Sequence, residues 1–182
     1  MLARIFLILL FVMTPPAIAQ QVAVAVTRAD IGRDHVFEVV ASGTVKASPA
    51  DVWKVLTDYE RMPEFVPDLE KTKVISRVGN KAIIEQSGVA RFLFLKRNIH
   101  LVVHVSEEPI STIVITLVTG DMKTYQCRWE MTALPDGAGT RIAYSGTMVP
   151  KFYVPGMLGS NIIRRDIERM MGAVLLRLDQ QP

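Results

Sequence analysis

Only one cysteine, Cys127, occurs in the 182 residues, so no disulfide within the chain can staple it and the fold must hold by packing. Three histidines offer little for a metal centre. His100 and His104 stand four apart in the alternating stretch NIHLVVHV, which puts them on one strand face about 13 Å from each other. They cannot grip one ion together, and no other His, Cys and carboxylate cluster has ligand spacing, so no metal site is expected. The chain also lacks G-x-S-x-G, a phosphate loop and a dinucleotide fingerprint. Charge of one sign is scarce: 21 Lys+Arg face 18 Asp+Glu, with no basic block and no basic-aromatic stripe, which argues against a nucleic-acid partner. A transient contact with an anionic membrane surface stays open, and nothing sets the oligomeric state.

Long hydrophobic runs are absent after the first twenty residues, and that first run is itself too short to span a bilayer. MLARIFLILLFVMTPPAIAQ reads as a secretory signal: Arg4, an apolar stretch over 5–13, and Ala17-Ile18-Ala19 before the cut. Residues 1–19 are therefore expected to be removed and the mature chain to start at Gln20, exported to a bacterial periplasm. No cysteine follows the cut, so the lipoprotein signature is missing; an uncleaved N-terminal anchor is the alternative. The remaining roughly 160 residues suit one domain with a sizeable core.

Residues 20–33 form a lead-in whose Val22, Val24 and Val26 alternate; whether it pairs as a strand or trails is open. From Asp34 the two-residue period is clear in Phe37, Val39, Ala41, Gly43 and Val45, predicting a first strand over about 35–47. Ser48-Pro49 then opens a helix: Ser48 can cap, Pro49 suits the first position, and Asp51 meets the helix dipole. Val52, Val55, Leu56 and Tyr59 share its apolar face, and Pro63 and Pro67 prevent a long regular continuation. Strand-like runs follow at 70–78, 82–95, 97–106, 111–119, 123–134 and 140–149, joined by turn chemistry such as Gly79-Asn80 and Glu107-Glu108-Pro109. From about 160 to 178, Ile163, Ile167, Met170, Met171, Val174 and Leu178 fall on one helical face, with Ser160 or Asn161 as the cap. Such a helix is near 28 Å long and can cross a curved sheet. The expected fold class is α+β: a curved antiparallel sheet wrapped around a long C-terminal helix, with two short helices after the first strand.

The segment GTVKASPADVWKVLTDYERMPEFVP, the strands after it, and TRIAYSGTMVPKFYVPGMLGSNIIRRDIERMMGAVLLRL together resemble the START-like, Bet v 1-type (SRPBCC) helix-grip superfamily. Within it the chain is most similar to the polyketide cyclase/dehydrase and coenzyme Q-binding group, over about 34–178 of a domain running 34–182. The resemblance implies a deep apolar cavity between sheet and long helix, used for lipids, sterols, quinones or polyketides and usually without a metal or bound cofactor. It supports binding better than catalysis.

The expected ligand is a hydrophobic small molecule, and the expected activity is carriage rather than reaction. The pocket candidates are Tyr59, Met62, Phe65, Gln86, Phe92, Tyr125, Trp129, Tyr144, Met157 and Met170. Their aromatic and thioether surfaces suit apolar cargo, and Gln86 supplies one amide to orient it. Small residues on inward faces, Ala41, Gly43, Gly88 and Gly146, leave room for a cavity, although glycines in strands also serve bends. Tyr59, Met62 and Phe65, stiffened by Pro63 and Pro67, read as a gate over its entrance. No catalytic residue is assigned. The enzymatic alternative, an aromatase/cyclase- or dehydrase-like protein, would need Asp58 as a general base with Glu85, Arg91 or Tyr144 converging on the cavity. A second alternative is a protein-interaction module with a filled interior.

Overall fold

A computed structural model describes residues 22–92, 95–154 and 156–180. The signal-like segment 1–19 lies outside the described residues. Eight strands form one antiparallel sheet in the order β1-β2-β8-β7-β6-β5-β4-β3. They are β1 Ala23–Ile31, β2 Asp34–Val45, β3 Leu69–Val78, β4 Lys81–Phe92, β5 Leu95–Glu108, β6 Thr112–Gly120, β7 Met122–Ala133 and β8 Thr140–Pro150. Helix α1 spans Pro49–Thr57, a 3-10 helix spans Tyr59–Glu64, and α2 spans Gly156–Asp179. This is the helix-grip arrangement, with the sheet curved around α2 and bulges in β3 adding local bends. Among the described residues no helix is long and apolar enough to cross a membrane.

The lead-in pairs. Its alternation becomes β1, with Val22, Val24 and Val26 packed toward the core and Val24 paired with Ala41 of β2. The strand read as first is thus second in the sheet. Phe37, Val39, Ala41 and Val45 point inward from it and are almost fully buried. Ser48 caps α1, its side chain accepting from the Asp51 amide at 3.2 Å, and Pro49 stands in the first turn.

Helix α2 begins a full turn earlier than the apolar periodicity suggests, so Ser160 lies inside it rather than capping it. Gly159 explains the extension: a Cβ there would stand 2.7 Å from Val154 Cγ1 and 3.1 Å from Phe37 Cζ. A bare backbone lets the first turn press onto those side chains, an interaction that adds no apolar residue to the helical pattern.

The core runs between the inner sheet face and the helices. Ile163, Ile167, Met171, Val174, Leu175 and Leu178 bury the inner face of α2, which packs most closely on β1 and β2. One helix is only about 10 Å wide, whereas neighbouring strands are about 4.8 Å apart. It cannot cover eight strands. Over the β3–β7 half, α1 packs beside β7 and the 3-10 helix beside β3, forming a roof with the inner face of α2.

A cavity under the 3-10 helix

Between that roof and the sheet lies an apolar cavity of about 150 Å³. Leu56 of α1, Tyr59 and Met62 of the 3-10 helix, and Met170 and Val174 of α2 line one side; Ile84, Val103, Val105, Ile113 and Ile115 line the other. Seven of the ten pocket candidates meet here: Tyr59, Met62, Gln86, Tyr125, Trp129, Tyr144 and Met170. Phe65 does not reach the wall. Its ring lies under the Arg177 guanidinium at 5.8 Å, and Arg177 also stands 3.7 Å from Glu64, so Phe65 braces the end of the 3-10 helix against α2 from outside. The side chains of Phe92 and Met157 lie outside the described residues.

The glycines do not make the void. A Cβ on Gly43 would meet Leu175 at 2.7 Å, one on Gly88 would meet the Asp68 carbonyl oxygen at 2.3 Å, and one on Gly146 would meet Cys127 Cβ at 3.1 Å. Each buys close approach of another group rather than empty space.

Four polar side chains, Gln86, Tyr125, Cys127 and Tyr144, break the apolar wall, the last three together on β7 and β8. The Cys127 thiol donates to the Tyr125 oxygen at 3.7 Å, and Gln86 stands on β4. Trp129 meets Tyr144 edge to face at 4.9 Å between centroids. Burial pushes the Cys127 thiol up to about 11, which keeps it a thiol at neutral pH and removes the thiolate a nucleophile needs. The adjacent Cys127 and burial hold the Tyr125 hydroxyl well above its ordinary range; burial, then Cys127, does the same for Tyr144. Both phenols are neutral hydrogen-bond groups.

Asp58, Glu85 and Arg91 do not converge on the cavity. Asp58 sits 3.7 Å from Arg61, Glu85 accepts from His100 Nε2 at 2.9 Å on the outer sheet face, and Arg91 donates from Nε to Asp68 at 2.6 Å. None of the three lines the wall, so the acid–base set on which the enzymatic alternative rested is not assembled. Among the described residues no group of three His, Cys, Asp or Glu side chains is placed to hold a metal ion.

Two features escaped the sequence. Glu107, read as turn chemistry, ends β5 with its side chain only 7% exposed; Tyr59 Oη donates to it at 2.7 Å and Arg77 Nη1 at 3.0 Å. The signal was present, because Glu107 continues the inward phase of Leu101, Val103 and Val105. The Tyr59–Glu107 hydrogen bond pins the first residue of the 3-10 helix to the sheet. The burial of Tyr59, with help from the Glu107 carboxylate, raises its hydroxyl far above the ordinary range, so it stays a donor. At the opposite end of the roof, Asp68 bridges Arg91 and Arg169, at 2.6 and 2.7 Å. Nothing in the sequence joins residues so far apart.

A second depression, about 180 Å³, lies at the far pole between the β1–β2 turn and the end of β8. It is larger but charged, with Arg33, Lys123 and Lys151 on its walls and Lys123 paired with Asp34, and no pocket candidate lies in it. The apolar cavity is the one that matches an apolar ligand.

Known proteins repeat this architecture. A START superfamily protein from Mycobacterium smegmatis is similar at a TM-score of 0.69 with 18% identity, over 79% of this chain and 97% of that one. The Zhui aromatase/cyclase from Streptomyces sp. R1128 gives 0.67 with 15% identity, over 80% and 95%. A STAR-related lipid transfer protein from Xanthomonas axonopodis gives 0.66 with 17% identity, over 85% and 99%. At these identities the likeness is one of fold. No curated protein matches the sequence closely enough to count. The family model described as polyketide cyclase / dehydrase and lipid transport matches residues 45–175, which takes in α1, the cavity and most of α2. With that match over most of its length, the chain belongs to the polyketide cyclase/dehydrase and lipid transport family.

Proposed function

We propose that this protein is an exported, non-enzymatic carrier that shields an apolar small molecule in the cavity between the sheet and α2. The observation that carries the reading is the cavity itself: about 150 Å³ of largely apolar space between the sheet and the helices. A void of this size lined by aliphatic and aromatic groups favours an apolar guest over water, as engineered cavities of about 150 Å³ do when they stay dry and take up benzene. Transfer of hydrocarbon from water contributes about 0.8 kcal/mol per methylene, so few polar contacts are needed. Tyr125 and Tyr144 on one side of the cavity and Gln86 on β4 offer hydrogen bonds to a carbonyl or hydroxyl.

Ligand pockets run from about 300 Å³ upward, so a lipid, quinone or sterol-sized guest requires the roof to move. In this reading the 3-10 helix is the part that moves: it has no strand pairing and is held by side chains, Tyr59 on Glu107, Glu60 on the Val74 amide and Glu64 on Arg177. The structural neighbours include a STAR-related lipid transfer protein and an aromatase/cyclase, which supports the cavity as the working part of the fold. Delivery of such cargo involves brief contact with a membrane surface. The signal-like N-terminus supports work in a periplasm. Native mass spectrometry of protein taken from a periplasmic extract tests the whole reading. A chain beginning at Gln20 and carrying extractable apolar cargo is expected; a chain that is empty and also fails to bind lipophilic fluorophores overturns it.

A further inference from the structure

Resting on the carrier reading, we propose that the cargo is an amphiphile with a carboxylate head, its chain in the cavity and its head on Arg91 and Arg169 in exchange for Asp68. The two guanidiniums come from different elements, β4 and α2, and meet at one point of the rim. Their position at the rim follows from their neighbours. Val66 and Leu69, which flank Asp68, line the cavity, and so does Met170, the residue after Arg169. The arginine side chains are 46% exposed while Asp68 between them is 17% exposed, so the pair stands between cavity and solvent.

The group now bound there is itself a carboxylate. Asp68 Oδ1 accepts from Arg91 Nε at 2.6 Å and Oδ2 from Arg169 Nη2 at 2.7 Å. One carboxylate thus bridges two cations, and a guanidinium presents five N–H groups in a fork that fits this head. Its remaining neighbours are Asp166, 3.5 Å from Arg169 Nη1, and Glu70 near Arg91. Two guanidiniums face three carboxyls at the rim, so an incoming anion gains most by replacing an acid already present.

Asp68 is built for replacement. Its backbone is in the left-handed region at φ 62, a conformation that Asp and Asn tolerate better than other side chains. The main chain is fixed independently of the carboxylate: Val89 N–H donates to the Asp68 carbonyl at 2.8 Å, and the bare Gly88 lets that carbonyl sit against β4. The carboxylate can therefore leave its arginines without unpairing the strands. Because the same carboxylate ties the end of the roof to α2, exchange also releases one of the contacts that hold the cavity shut.

Titration calorimetry of the full chain at pH 7.5 with octanoate and methyl octanoate tests this, since the two share a tail and differ in the charge of the head. The wild type is expected to bind the acid more tightly than the ester. Asp68→Asn, which keeps the backbone preference and removes the competing charge, should raise the acid-over-ester ratio about tenfold, and Arg91→Gln with Arg169→Gln should bring it to about one. Because acid and ester share one tail, any effect of a loosened roof on tail binding cancels in the ratio. A wild-type ratio of one or less overturns the proposal without any variant having to fold, as does a ratio that ignores Asp68→Asn. Tighter binding of octyl phosphate than of octanoate overturns the assignment to a carboxylate. Binding of the ester but not the acid leaves the carrier reading standing alone, and binding of neither removes both.

Discussion

Asp166 is a carboxyl on α2 whose burial pushes it up to about 6, with Arg169 at 3.5 Å only partly offsetting the cost. An aspartate in the unfolded chain ionises near 3.9. Between those values the fold holds a proton that the unfolded chain has lost, so stability falls as pH rises through roughly 4 to 6 and the deficit persists above. Replacing Asp166 with Asn removes the cost. Urea denaturation should show the variant gaining on the wild type at pH 7.5 by on the order of 1 kcal/mol, screened as expected of a half-exposed group, and little or nothing at pH 4. An advantage independent of pH would mean that Asp166 acts through packing instead.

At the scale of the element, the roof segment has two apolar side chains with different duties. Met62 lines the cavity, whereas Phe65 stands outside it under Arg177. Met62→Ser should weaken a lipophilic fluorophore about tenfold while shifting the melting temperature little, because the lost thioether surface faces the guest. Phe65→Ser should do the reverse, lowering stability by about 2 kcal/mol with binding nearly intact, because the lost ring joins the 3-10 helix to α2. Fluorescence titration and thermal denaturation of both variants separate the duties. Equal effects of both changes on binding would make the segment a single unit.

Across the whole molecule, the interior holds one thiol whose reactivity reports on opening. Cys127 is 2% exposed, lies on the cavity wall and carries a raised pKa, so iodoacetamide reaches the thiolate only when the sheet and helices part or the roof lifts. Labelling at pH 8 without denaturant should be at least tenfold slower than that of the same chain in urea. Bound cargo should slow it further. Labelling as fast as that of the unfolded chain would show that the cavity stands open to solvent and would contradict an enclosed carrier.

Local rules settled a large part of this protein. The alternation of β2, the Ser48-Pro49 start of α1 and the one-sided face of α2 each depend on neighbours within a turn or two, and all are written in the sequence. Gln86 and Tyr144 could be placed on inward faces for the same reason, since a two-residue period assigns every side chain of a strand to one face. Contacts between distant segments followed other determinants. Whether residues 23–31 pair depends on β2 offering an edge, and the start of α2 depends on Phe37 and Val154 accepting Gly159. The cavity is lined from α1, the 3-10 helix, strands β3 to β8 and α2 together, a meeting that no run of residues contains. Most of all, the Asp68–Arg91–Arg169 bridge joins a turn, a strand and a helix across the chain. Charge along a sequence says which groups exist; only the folded chain decides which of them meet, because desolvation and distance set their energies.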